Sequence, residues 1–81
     1  MVISQEIRDA VAAAMGYEIG DRQIADAVDY ADDSETADLR LRLAAAQERL
    51  DDAGGRGVWL AEHVDALRIA IAARNEMPKP S

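Results

Sequence analysis

The stretch LRLRLAAAQERLDDAGGRGVWLAEHVDALRIAIAAR, residues 39–74, determines the fold that we expect. On both sides of its glycine-rich segment, apolar residues recur in steps of four and three, which is the spacing of one face of an α-helix. The first face consists of Leu39, Leu43, Ala46, Leu50 and Ala53, and the second of Leu60, Val64, Leu67 and Ile71. Because only the short turn GGRG separates them, the two faces predict an antiparallel helical hairpin.

Three apolar residues of the hairpin lie off these faces and need a second layer of structure. They are Leu41, Val58 and Ile69. Either the N-terminal helices or another chain could cover them, so we treat the three as a candidate oligomer face.

The N-terminal part of the chain predicts two further helices. Ser4 is a suitable cap for the first and Gly16 a suitable stop, while Asp21 is a suitable cap for the second. Asp32 and Glu35 have the spacing of a capping box at the start of the third. We therefore predict an all-α domain of three to four helices over residues 1–76, built on this hairpin, with helices at about 4–15, 22–31, 34–53 and 58–74. Residues 77–81 contain two prolines, which cannot continue a helix, so we predict an extended tail there.

The composition suggests a thin core that needs additional stability from a binding partner. A chain of 81 residues has a marginal core, and this one has no cysteine, no phenylalanine and one histidine. Disulfides and an ordinary zinc site are therefore excluded as sources of additional stability. Binding to a partner or oligomerisation remains as such a source. Arginine far outnumbers lysine, which is typical of a GC-rich bacterial or bacteriophage genome.

The net charge of −7 resides in one segment. Residues 17–38 contain eight acids and one arginine, whereas the acids and bases of the remaining chain cancel. Direct binding of nucleic acid through this segment would be repelled. An EF-hand beginning at Asp32 fails because Ala37 and Leu43 occupy its glycine and glutamate positions, so we predict no metal site.

Two interpretations of the acidic segment remain open. The simpler one is that its charge keeps a thin-cored protein soluble. The other is that carboxylates on a rigid helix imitate phosphates and dock on a basic surface of another protein. The second interpretation is retained because solubility requires net charge but does not require all of it in residues 17–38. Its candidate contact residues are Asp26, Asp29, Asp32, Asp33 and Glu35.

A second candidate contact patch lies beside the second helical face of the hairpin. Arg56, Trp59 and His63 are spaced three and four residues apart, and tryptophan and arginine are frequent in binding hot spots. The simpler interpretation is that Trp59 caps the hydrophobic core at the hairpin end.

Nothing in the sequence indicates catalysis. The serines are far from the single histidine in sequence, no cofactor motif is present, and GGRG lacks the spacing of a phosphate-binding P-loop. No secretory signal or membrane span is evident, so we expect a cytoplasmic protein, in the host cytoplasm if it is phage-encoded.

Two classes of function follow for a protein that is not an enzyme. The first is an inhibitor or adaptor whose acidic helical face docks on a basic, nucleic-acid-binding surface of a host or defence complex. The second is a small structural subunit, such as a virion component, that acts through packing against copies of itself or another protein.

Overall fold

Four α-helices make up most of the chain. A computed structural model describes residues 3–31, 35–54 and 56–76. Within these ranges the helices are α1 (Gln5–Met15), α2 (Asp21–Tyr30), α3 (Thr36–Asp52) and α4 (Val58–Asn75), with no strand. The all-α prediction is confirmed, and each helix end lies within two residues of its predicted position. The predicted tail at 77–81 lies outside the described residues.

The central element is α4, because α1, α2 and α3 all pack against it. Leu67 and Ile69 are two residues apart, which corresponds to a rotation of about 200° around an α-helix. Both are buried, at 0% and 1% exposure. Opposite sides of α4 are therefore covered, one by α3 in the predicted hairpin and the other by the N-terminal helices. The buried residues of α4 are Val64, Leu67, Ile69, Ala70, Ala72 and Ala73.

This arrangement corrects the predicted oligomer face. Ile69 belongs to the core of the single chain and lines a groove with residues of α2, so it is not available to a second copy. Leu41 and Val58 are exposed, at 69% and 67%. They do not form one patch, since Leu41 is about 16 Å along α3 from the hairpin turn, at 1.5 Å per residue, and Val58 begins the helix after that turn.

The first helix has the ends that the sequence predicts. The hydroxyl of Ser4 accepts a hydrogen bond from the backbone N–H of Ile7 at 3.3 Å. At the other end Gly16 adopts a left-handed conformation with φ of 82°, and its N–H donates to the carbonyl of Ala12 at 2.8 Å. Glycine takes this conformation without the strain that a Cβ would cause.

The starts of α2 and α3 differ from the predicted caps. Gly20 is the N-cap of α2, and Asp21 is its first helical residue. The carboxylate of Asp21 pairs with Arg8 instead of capping the helix. At α3, Glu35 occupies the N-cap position itself, without a side-chain capping bond, instead of the third helical position that a capping box requires. The other member of that predicted box, Asp32, lies outside the described residues.

The turn between α3 and α4 is closed by backbone contacts. Gly54 has a positive φ of 62°, and the N–H of Arg56 donates to the carbonyl of Ala53 at 3.2 Å. The helix stop and tight turn predicted for this segment are present.

The described core is apolar throughout and rich in alanine. None of its buried residues is polar or charged, and six of its sixteen members are alanine. These small side chains let the helices approach closely, and the molecule measures 39 × 26 × 17 Å. No helix in the described part of the chain is both long enough and apolar enough to cross a bilayer.

The two-sided burial of α4 can be tested by truncating apolar side chains. We expect Ile69→Ala to lower the free energy of unfolding by about 2–5 kcal/mol, because it leaves a cavity in the core. The control Leu41→Ala, at an exposed position, should change it by less than about 0.5 kcal/mol. Urea denaturation followed by circular dichroism measures both, and equal effects would contradict this account of the core.

Candidate functional site

The acidic segment presents its α2 carboxylates to solvent. Asp26 and Asp29 are exposed on α2, and Glu35 is exposed just before α3. Asp32 and Asp33, the other two predicted contact residues, lie outside the described residues. The described part of the predicted acidic face is therefore accessible to a partner.

One acid of the segment is neutralised from outside it. Arg8 of α1 donates from Nε and Nη2 to the two carboxylate oxygens of Asp21, at 2.8 and 2.7 Å. The hydrogen bonds from Arg8 lower the pKa of the Asp21 carboxyl, and the same pairing raises the pKa of the guanidinium. Asp21 therefore has a structural partner and contributes less to the negative field of the segment than sequence counting suggests.

Two further carboxylates come from α4. A groove between α2 and α4 is lined by Asp26 together with Glu62 and Asp65, and no lysine or arginine of residues 3–31, 35–54 and 56–76 lines it. We call this the acidic groove. Glu62 and Asp65 lie on the side of α4 that also carries Ile69, so they face the α2 side of the molecule. Sequence reasoning missed them because they lie far from the 17–38 segment; their three-residue spacing on one helix face was the available signal.

None of the three groove carboxylates makes a hydrogen bond or ion pair with its side chain among the described residues. Within the same residues, no group of three or more histidine, cysteine or acidic side chains is arranged to hold a metal ion. The groove therefore offers unpaired negative charge to whatever binds there.

Trp59 lies on the surface, contrary to its predicted role as a core cap. It is 88% exposed, the highest value among the exposed large apolar residues of the described chain. The core at the hairpin end is closed instead by smaller residues such as Val64 and Leu50. Trp59 is thus available for contact, as the alternative interpretation required.

Tyr30 joins Trp59 and His63 at one end of the acidic groove. Its hydroxyl lies 2.9 Å from Nδ1 of His63, and the two rings meet edge to face, with centroids 5.6 Å apart and an interplanar angle of 85°. Arg56, the third member of the predicted patch, is exposed in the hairpin turn and does not line the same cleft. In the structure, the third member of this patch is therefore Tyr30 and not Arg56. Sequence spacing could not connect Tyr30, which belongs to α2, to residues of α4.

The groove and the cleft around Trp59 share Tyr30, Glu62 and Ala66, so they form one continuous surface. This surface places carboxylates without a side-chain partner next to the exposed rings of Tyr30 and Trp59.

The Arg8–Asp21 pair predicts a specific response to pH. Because the folded-state pKa of Asp21 is lowered, the pair contributes stability above the unfolded pKa near 4, and this contribution is lost as pH falls through the folded value. In Arg8→Gln, we expect the Asp21 carboxyl to titrate at higher pH. Carboxyl-carbon NMR titration of wild type and variant measures the shift, and an unchanged Asp21 titration would exclude the pairing.

The Tyr30–His63 contact predicts a small, local effect. Since the pair is exposed, Tyr30→Phe should lower the free energy of unfolding by less than about 1 kcal/mol. The imidazole nitrogen signals of His63 should shift because Nδ1 loses its partner. Nitrogen-15 NMR checks this, with Tyr17→Phe as the control, and unperturbed signals would show that the contact is not formed.

Comparison with known proteins leaves function to be argued from these residues. No protein-family model, no curated protein and no solved structure matches the chain. The acidic groove and its aromatic end are therefore the basis of the proposal that follows.

Proposed function

We propose that this protein is a non-catalytic inhibitor or adaptor that docks its acidic groove, together with the exposed α2 face, on a basic, nucleic-acid-binding surface of another protein. One observation carries the proposal: Asp26, Glu62 and Asp65 line one groove from two helices, and none of the described residues that line it is basic. A basic surface evolved to bind phosphates offers the complementary charge.

The position of Asp29 supports a functional acidic surface over a merely solubilising one. Asp29 lies in the last turn of α2, which contains no basic residue. The negative end of the helix dipole disfavours a carboxylate there by about 0.3–1 kcal/mol. Solubility requires net charge, but it does not require charge at a position where it opposes folding.

Electrostatic attraction also suits the mechanism of such a protein. Clustered charge of one sign accelerates encounter with an oppositely charged partner, and ions in solution screen the attraction. An inhibitor that occupies a phosphate-binding surface competes with nucleic acid by the same physics, so no chemical step is needed.

The alternative function, a structural or assembly subunit, receives less support. It depended on a shared apolar face, and Ile69 is inside the core while Leu41 and Val58 are at separate places on the surface. A defined oligomer in light scattering after size exclusion would favour that alternative. The phage origin and the cytoplasmic location of this protein remain predictions from its sequence.

Charge reversal on α2 tests the proposal directly. In Asp26→Lys/Asp29→Lys, we expect loss of the partner that wild-type protein captures from nuclease-treated bacterial lysate. The fold should persist, with an equal or slightly higher free energy of unfolding, because a lysine suits the last helical turn better than an aspartate. Capture should also weaken as salt increases, and added DNA should compete.

The matched control is Glu48→Lys/Asp51→Lys, which makes the same change of charge at the same spacing on exposed positions of α3. Capture by this variant should be close to that of wild type. If the α2 variant still binds its partner, or both variants lose it equally, the acidic surface is not the docking site.

A further inference from the structure

The end of the acidic groove is a cleft with aromatic walls. It is lined by Tyr30, Trp59, Leu60, Glu62, His63 and Ala66, which we call the aromatic cleft. Its floor is apolar, its walls are aromatic rings, and its one carboxylate is shared with the acidic groove. This combination of groups restricts the kind of side chain that fits.

The exposure of Trp59 argues that the cleft is incomplete in the isolated chain. The indole is 88% exposed, although the next residue, Leu60, is partly buried. An exposed indole leaves a large apolar area in water, and burying it on binding is favourable in proportion to that area. Tryptophan is one of the residues that are enriched in binding hot spots.

The opposite wall is held in place before any partner arrives. The hydrogen bond between the Tyr30 hydroxyl and Nδ1 of His63, at 2.9 Å, ties α2 to α4. The perpendicular packing of the two rings fixes their orientation. A wall that is already ordered reduces the conformational entropy lost on binding.

The negative charge of the cleft favours a cationic group as its ligand. Within the part of the chain that the structure describes, Glu62 has no hydrogen-bonding or ionic partner, and no arginine or lysine lines the cleft. A cation placed there meets the carboxylate and the negative face of the indole at once. Of the protein cations, the planar guanidinium stacks on an aromatic face and pairs with a carboxylate through two parallel hydrogen bonds, whereas the ammonium of lysine is a strongly hydrated point charge.

We propose that the aromatic cleft binds an arginine side chain of the partner protein, with the guanidinium stacked on Trp59 and paired with Glu62. The inference rests on the proposed function, since the same partner occupies the adjoining acidic groove. It adds a specific anchor: the partner surface carries an arginine at the edge of its basic patch, and the protein selects that arginine over lysine.

Titration with peptides tests this anchor without knowledge of the partner. The probes are a short capped peptide of alternating arginine and alanine and the matched lysine–alanine peptide, added to nitrogen-15-labelled protein and followed by NMR. We expect the arginine peptide to bind more tightly and to shift the indole N–H signal of Trp59, the single tryptophan of the chain. Glu62→Gln should weaken both peptides.

The variant Trp59→Leu should weaken the arginine peptide by about two- to fivefold, the size of an exposed cation–π contact, and abolish its advantage over the lysine peptide. Trp59 is so exposed that this change should leave the fold intact. The matched control is Tyr17→Leu, which removes an exposed aromatic ring outside the cleft and should leave both affinities unchanged.

The outcomes separate this inference from the proposed function. Equal affinity for the two peptides in the wild type, or an arginine preference that survives Trp59→Leu, overturns the arginine anchor even where Asp26→Lys/Asp29→Lys abolishes capture of the partner. Loss of the arginine preference in Trp59→Leu, combined with partner capture that survives the α2 reversal, supports the cleft and overturns the acidic docking surface.

Discussion

The constraint on which the fold depends is that α4 must bury opposite sides at once. Leu67 and Ile69 are both inaccessible, although they point in nearly opposite directions from the helix axis. A hairpin with α3 can cover only one of these sides. Helices α1 and α2 must therefore pack on the other, and their short connection, with the Arg8–Asp21 pair bridging it, places both against the same helix.

The acidic groove and the aromatic cleft follow from where this coverage ends. The α2 side of α4 is apolar at Ile69 and towards the C-terminus, but it carries Asp65 and Glu62 one and two turns earlier. If α2 packed over these carboxylates, it would remove them from water at a high cost in free energy. The two helices therefore leave an open groove at this point. On this charged side of α4, Trp59 and His63 lie beside Tyr30.

Much of the fold could be predicted from the sequence, because its signals are local. Periodicity located all four helices, and Ser4 and Gly16 mark the ends of α1 as expected. The position of Ile69 relative to the N-terminal helices could not be predicted, since periodicity shows that a residue needs cover without showing what supplies it. Trp59 was the other failure: a large apolar side chain usually indicates a core, and here its helix position faces outward. The contacts of Tyr30 with His63 and of Arg8 with Asp21 join separate helices, and spacing along one helix carries no information about them.

The alanine-rich packing around α4 has a thermodynamic consequence. Alanine hides little hydrocarbon from water, and the heat capacity of unfolding grows with the hydrocarbon area exposed. The stability curve of this protein should therefore be flat, with little change between cold and warm conditions, and the slope of its denaturant transition should be shallow for the chain length. A molecule of this kind melts over a broad interval, and a bound ligand would raise the melting temperature through mass action.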